Sequence, residues 1–145
     1  MKHVLVIDDD SFSRTLLRLI LEAEGYDVTL ARDGQEGLQS YGRTPADLVV
    51  VDIFMPEKDG LETIVELKDR FPQAKVLTVS GGGNFGLEFL DVARQFGADD
   101  CLAKPFDRVG LLAAVAALID GGTGGRSGED PDAAKNASQE RDPST

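Results

Sequence analysis

Five side chains of this 145-residue sequence are placed to do chemistry together. Asp8 and Asp9 follow the apolar run Val4–Ile7, Asp52 follows Leu48–Val51, Ser80 follows Val76–Val79 and Lys104 follows Cys101–Ala103. An unbroken apolar run bounded by turn residues reads as a strand buried on both faces, as in a parallel sheet. Open α/β sheets gather their chemistry at the carboxyl edge of such strands. If all five side chains reach one edge, three carboxylates crowd one crevice. Two like charges about 4 Å apart repel by roughly 4 kcal/mol at an effective dielectric of about 20. Such a pocket holds a proton, a raised pKa or a cation. Hard oxygen ligands in a partly hydrated site suit Mg2+ best. A carboxylate nucleophile, a divalent cation, an ammonium and a hydroxyl together suit phosphoryl transfer through an acyl phosphate. Asp52, the carboxylate at the centre, is the expected nucleophile.

The elements that must position these groups follow from the apolar spacing. Strands are expected at His3–Ile7, Tyr26–Ala31, Leu48–Val51, Val76–Val79 and Cys101–Ala103. Tyr26–Ala31 alternates, with Val28 and Leu30 on one side, and belongs near the sheet edge. Between the strands the period becomes helical. Leu16, Leu17, Ile20 and Leu21 share a face within Ser11–Glu24, with Arg14 and Arg18 opposite. A short, weakly patterned helix fits Gln35–Tyr41. Leu61, Ile64, Val65 and Leu67 mark a third helix, Phe85, Phe89, Val92, Ala93 and Phe96 a fourth, and Leu111, Leu112, Val115, Leu118 and Ile119 a fifth. Asp107 is a good N-cap for the last. Strand ends fall near 7, 31, 51, 79 and 103, so each βα unit takes about two dozen residues. This alternation implies right-handed crossovers and a doubly wound, five-stranded parallel α/β sheet with helices on both faces. In flavodoxin-like order 2-1-3-4-5, strands one and three are neighbours and their carboxyl edge is the switch point. Residues 1–120 form the domain. Residues 121–145, acidic and opened by Gly121-Gly122-Thr123-Gly124-Gly125, bury too little apolar surface to offset ordering and are expected to be a disordered tail.

Composition narrows the function further. A net charge of −11 argues against a nucleic-acid or anionic-membrane partner. One cysteine, Cys101, permits no internal disulfide and points to a reducing compartment. The N-terminus is too short and too soon charged for a signal peptide, and no segment reaches the roughly 18–20 apolar residues of a membrane span. A cytoplasmic protein is expected. His3 is the only histidine, so metal sites built on histidine or thiolate are excluded by count. Gly81-Gly82-Gly83 lacks the lysine-bearing pattern of a P-loop. Asp10, Asp59 and Asp99-Asp100 read as solvated turn formers.

The set Asp8-Asp9, Asp52 with Met55-Pro56 and Asp59-Gly60, Ser80, then Lys104-Pro105-Phe106, resembles a response regulator receiver domain of two-component signalling over about residues 1–120. The resemblance implies that Asp52 is the phosphoacceptor. It implies that Asp9, Asp52 and the backbone carbonyl of Phe54 ligate Mg2+ directly, with Asp8 acting through an intervening water. Ser80 and Lys104 would bind phosphoryl oxygens, and the Lys104–Pro105 peptide would be cis. A histidine kinase or histidine phosphotransfer protein would be the donor. The output would be an unknown downstream protein recruited at the face of the fourth and fifth helices and fifth strand. No DNA-binding domain follows, so a stand-alone receiver is expected, an enzyme only in its own autophosphorylation and autodephosphorylation. Three positions depart from the family pattern. Cys101 stands where an aromatic switch residue is usual. Phe54 and Gly82 stand where polar groups often guide the hydrolytic water, so slow loss of the phosphoryl group is expected. The glycine triplet makes the loop after strand four pliable and able to order on phosphorylation. Two rivals remain. One is a phosphatase similar to haloacid dehalogenases, with Asp8 as nucleophile and Asp10 as general acid. The other is a degenerate receiver that serves only as a binding module.

Overall fold

The computed structural model describes residues 2–52, 60–80, 93–104 and 106–121, with Ser80 described by its backbone alone. Five strands, β1 (His3–Ile7), β2 (Asp27–Ala31), β3 (Leu48–Asp52), β4 (Val76–Ser80) and β5 (Asp100–Ala103), form one sheet in the order β2-β1-β3-β4-β5. Every pairing is parallel. The helices are α1 (Ser11–Ala23), α2 (Gly34–Arg43), α3 (Gly60–Arg70) and α4 (Arg108–Asp120), with a further helical turn at 93–95. The expected helix at 85–96 falls largely outside the described residues, as do Asp59 and the tail beyond Gly121.

Alternation along the strands divides the core into two layers. Leu5, Ile7, Val49 and Val51 face α2 and α3, where Leu38, Tyr41, Ile64 and Leu67 meet them. Val4, Val6, Leu48 and Val50 face α1 and α4, against Leu17, Leu21, Leu111 and Val115. All of β3 is buried, as an interior parallel strand covered on both faces must be. The β2 strand lies at the edge, as its alternation predicts.

The caps are local and legible. Asp10, Asp33 and Asp107 each accept a hydrogen bond from the backbone amide three residues on, at Ser13, Glu36 and Gly110. Gly25, at φ +99°, lets the chain turn out of α1 into β2. Gly37 has a different duty. A Cβ there would lie 2.3 Å from Ile7 Cδ1, so its bare backbone lets α2 sit directly on β1.

Two expectations are corrected. Leu16 is 44% exposed; the buried stripe of α1 runs through Leu17 and Leu21, leaving Phe12, Leu16 and Leu19 outward. Asp99 is no free turn former. Its carboxylate accepts from Val76 N at 2.7 Å and from Lys68 Nζ at 2.9 Å, tying α3 to the starts of β4 and β5. At the same end of the sheet, Lys75 Nζ donates to the carbonyls of Leu118 and Ile119, closing the last turn of α4. Among the described residues no helix is long and apolar enough to cross a membrane.

Candidate acidic phosphoryl site

The edge where β1 and β3 end is the switch point of the sheet. From it the chain departs toward β2 on one side and toward β4 and β5 on the other. Ile7 pairs with Val51, so Asp8 and Asp52 leave the sheet as neighbours. One further strand over, Asp52 pairs with Val79, and Ser80 with Ala103, the residue before Lys104. Backbone register alone therefore brings every sequence-predicted site residue with described coordinates to one edge. Phe54 and Pro105 lie outside the described residues.

Asp8, Asp9 and Asp52 each offer one carboxylate oxygen, and these oxygens lie within 4.8 Å of one another. Asp8 is wholly buried, Asp52 is 7% exposed and Asp9 opens to solvent. Lys104 Nζ stands 3.6 Å from Asp52 Oδ2. Asp8 Oδ1 accepts from Asp10 N at 2.9 Å, whereas Asp8 Oδ2 is buried with no hydrogen-bond partner. An orphaned buried carboxylate oxygen is costly unless a cation or a proton meets it. Its pKa accordingly rises from 3.8 to about 6. Loss of hydration is the main cause; the nearby charge of Asp52 adds to it, while the Asp10 amide and Lys104 oppose it.

These donors fit Mg2+. They are hard oxygens, one of them unsatisfied, beside one ammonium. Octahedral Mg2+ at about 2.1 Å spans about 4.2 Å between opposite ligands. A separation of up to 4.8 Å is thus wide for three direct ligands and comfortable if one carboxylate acts through water.

Asp10 belongs to the frame of this site. Its carboxylate caps α1 at Ser13, and that capping holds it below the usual carboxylate range. A general acid must carry its proton near the working pH, so Asp10 is poorly suited to the role the phosphatase reading assigns it. Sequence reasoning missed Arg14, whose Nη1 donates to the Asp8 carbonyl at 2.7 Å. A side chain bound to a backbone acceptor leaves no pairing signal in the sequence.

Comparisons with known proteins point to one family. Residues 4–116 match the response regulator receiver domain family. The chemotaxis protein CheY of Listeria monocytogenes is 34% identical over 116 residues, 79% of this chain and 96% of CheY. A homologue of the transcriptional regulatory protein CpxR from Haemophilus influenzae is 36% identical over 121 residues. That match takes in 82% of this chain, which spans about half (51%) of the CpxR homologue. Among solved structures, a CheY-like receiver domain protein from Methanospirillum hungatei superposes with a TM-score of 0.77 at 30% identity, covering 84% of this chain and 96% of that one. The receiver domain of NtrX from Brucella abortus gives 0.76 at 31% identity, covering 81% and 98%.

Proposed function

The chain belongs to the response regulator receiver family of two-component signalling, and on that premise we propose that it is a switch phosphorylated on Asp52. The donor would be a histidine kinase or histidine phosphotransfer protein, and the output a protein–protein contact. The observation that carries this reading is the convergence of Asp8, Asp9 and Asp52 on a space one cation can bridge, with Lys104 at its rim.

Each residue has a part. An Asp52 carboxylate oxygen attacks phosphorus, the P–N bond of the donor's phosphohistidine breaks, and the imidazole leaves with the electron pair and takes up a proton. An acyl phosphate on Asp52 results. Asp9 and Asp52, with the Phe54 carbonyl, would hold Mg2+, and Asp8 would steady it through water. The ion, when bound, supplies positive charge against the oxygens of the transferring phosphoryl group. Lys104 would bind another of those oxygens, and Ser80, whose backbone ends β4 at the same edge, would bind a third.

A protein donor needs a surface beside the pocket. Phe12 and Val109 are each 75% exposed. Phe12 lies in the first turn of α1 and Val109 in that of α4, and both helices start at the carboxyl edge. They offer apolar contact for a docking partner at the edge that carries the pocket. The lone thiol of Cys101 and the need for a kinase's phosphoryl group support a cytoplasmic setting.

The test is transfer of label from a phosphorylated kinase or from phosphoramidate, with Mg2+ present. Wild type takes up label, Asp52→Asn does not, and Asp10→Asn does. Label that survives Asp52→Asn and is lost in Asp8→Asn would establish the phosphatase reading in its place. Wild type that stays unlabelled with every donor would leave only a binding module.

A further inference from the structure

We infer that Arg14 is a positioning residue for the acidic pocket: its bond to the Asp8 carbonyl fixes the β1–α1 turn so that Asp8 and Asp9 face Asp52. The inference deepens the phosphoacceptor reading and rests on it.

Asp8 is the first residue beyond β1. Its amide donates to Ala31 O at 3.1 Å, extending the ladder with β2 by one residue. Its carbonyl accepts from Arg14 Nη1 at 2.7 Å, a charge-assisted bond at the short end of the usual range. The Arg14 amide donates to Asp10 O at 2.9 Å, and the Asp10 amide donates to Asp8 Oδ1 at 2.9 Å. The bonds close a ring through Asp8, Asp10 and Arg14, in which the guanidinium reaches back from α1 across the turn. With Oδ1 engaged inside the ring, Oδ2 is the Asp8 oxygen left for the pocket, and it is the buried one without a partner. Asp9 sits within the ring's span, so its backbone is fixed by the same bonds. Rotation about the Cα–C bond of Asp8 would carry Asp9 away from Asp52 and break the Asp10 amide bond that holds Asp8 Oδ1.

An arginine suits the task. It stays charged at every working pH, and its stem reaches from α1 back to Asp8, two residues before the cap. Side chains that orient metal ligands from behind commonly cost 10–100-fold in metal affinity when removed. Arg14→Met keeps the stem and removes the donor. Arg14→Lys keeps a donor of similar reach.

The experiment titrates the full chain with Mg2+ alone by calorimetry, and follows phosphoramidate labelling as a function of Mg2+. Arg14→Met is expected to weaken Mg2+ binding about tenfold or more, and Arg14→Lys to stay within about threefold of wild type, since one charge-assisted donor is retained. The Arg14→Met labelling rate at saturating Mg2+ should return close to the wild-type value, because only the metal requirement has moved. A purely structural arginine would instead lower the unfolding midpoint and leave the Mg2+ affinity alone. Arg14→Met that binds Mg2+ within about twofold of a labelled wild type overturns this inference and leaves the phosphoacceptor reading standing. A wild type that neither binds Mg2+ nor takes label overturns both. Should Arg14→Met fail to fold, Arg14→Gln, too short to reach the carbonyl, carries the same expectation.

Discussion

Replacing Asp8 by asparagine should make the metal-free protein more stable and the metal-loaded one hardly so. Asp8 is fully buried, and its pKa stands at about 6 against an ordinary 3.8. A folded-state pKa raised above the unfolded value means that ionisation opposes folding. The penalty is absent below about pH 3.8, grows between the two values, and is complete above about pH 6. At 1.36 kcal/mol per pH unit it amounts to about 3 kcal/mol at pH 7.5 and about half that at pH 5. Asparagine has the same shape and no charge, so urea unfolding in EDTA at pH 7.5 should show Asp8→Asn more stable by about that amount. The gap should narrow as pH falls to 5, because the wild-type carboxyl protonates. Mg2+ at 100 times its Kd should stabilise wild type by about 2.7 kcal/mol, and the variant should lose most of this, so the two should approach each other in Mg2+. An Asp8→Asn protein no more stable than wild type in EDTA, or a gap independent of pH from 5 to 7.5, would refute the account of a buried carboxylate whose lost hydration is only partly offset.

Other outcomes follow from particular contacts. Gly37→Ala should bring no gain in stability and cost up to about 2 kcal/mol: overpacking against Ile7 typically costs 1–3 kcal/mol, of which helix propensity returns about 1 kcal/mol; urea unfolding clearly above wild-type stability would contradict it. Asp99→Ala should lose about 1–3 kcal/mol, since the Val76 amide loses its acceptor and Lys68 loses its charge partner while keeping its bond to the Ala74 carbonyl, and a thermal-melt change under 0.5 kcal/mol would count against the clamp. Phe54→Asn should shorten the lifetime of phospho-Asp52 by offering a polar guide to the hydrolytic water, measured as decay of label; an unchanged lifetime would refute it. Acidification from pH 7.5 to 5 should weaken Mg2+ binding in calorimetry, because protons then compete for Asp8, whose pKa is about 6.

The fold was legible because each buried strand is an apolar run with a chemical marker at its end. Asp8, Asp52, Ser80 and Lys104 fall at or just past the ends of their strands, and parallel register then carries them to one edge. What the sequence hid falls into two kinds. Leu16 and Leu17 are adjacent on α1 and only about 100° apart around the helix, so periodicity gives a stripe without fixing its centre; packing against Val4 and Val6 chose Leu17. The bonds of Arg14 to the Asp8 carbonyl and of Asp99 to the Val76 amide end on backbone atoms, which every residue has, so no residue type announces them. Strand ends could therefore be read directly, while the supports behind them emerged only from tertiary placement.

The latch of Lys75 onto the last carbonyls of α4 bears on how a signal could travel. The helix begins four residues after Lys104 and runs for 13 residues, about 20 Å at 1.5 Å each, to the opposite rim of the sheet. Anything tethered at Gly121 would be held at that rim, out of reach of the phosphoryl group itself. Under the proposed switch, a displacement of the whole rod, pivoting where the lysine grips it, would carry news of the modification there, and trimming Lys75 to methionine would loosen the pivot while leaving the charge-bearing end untouched.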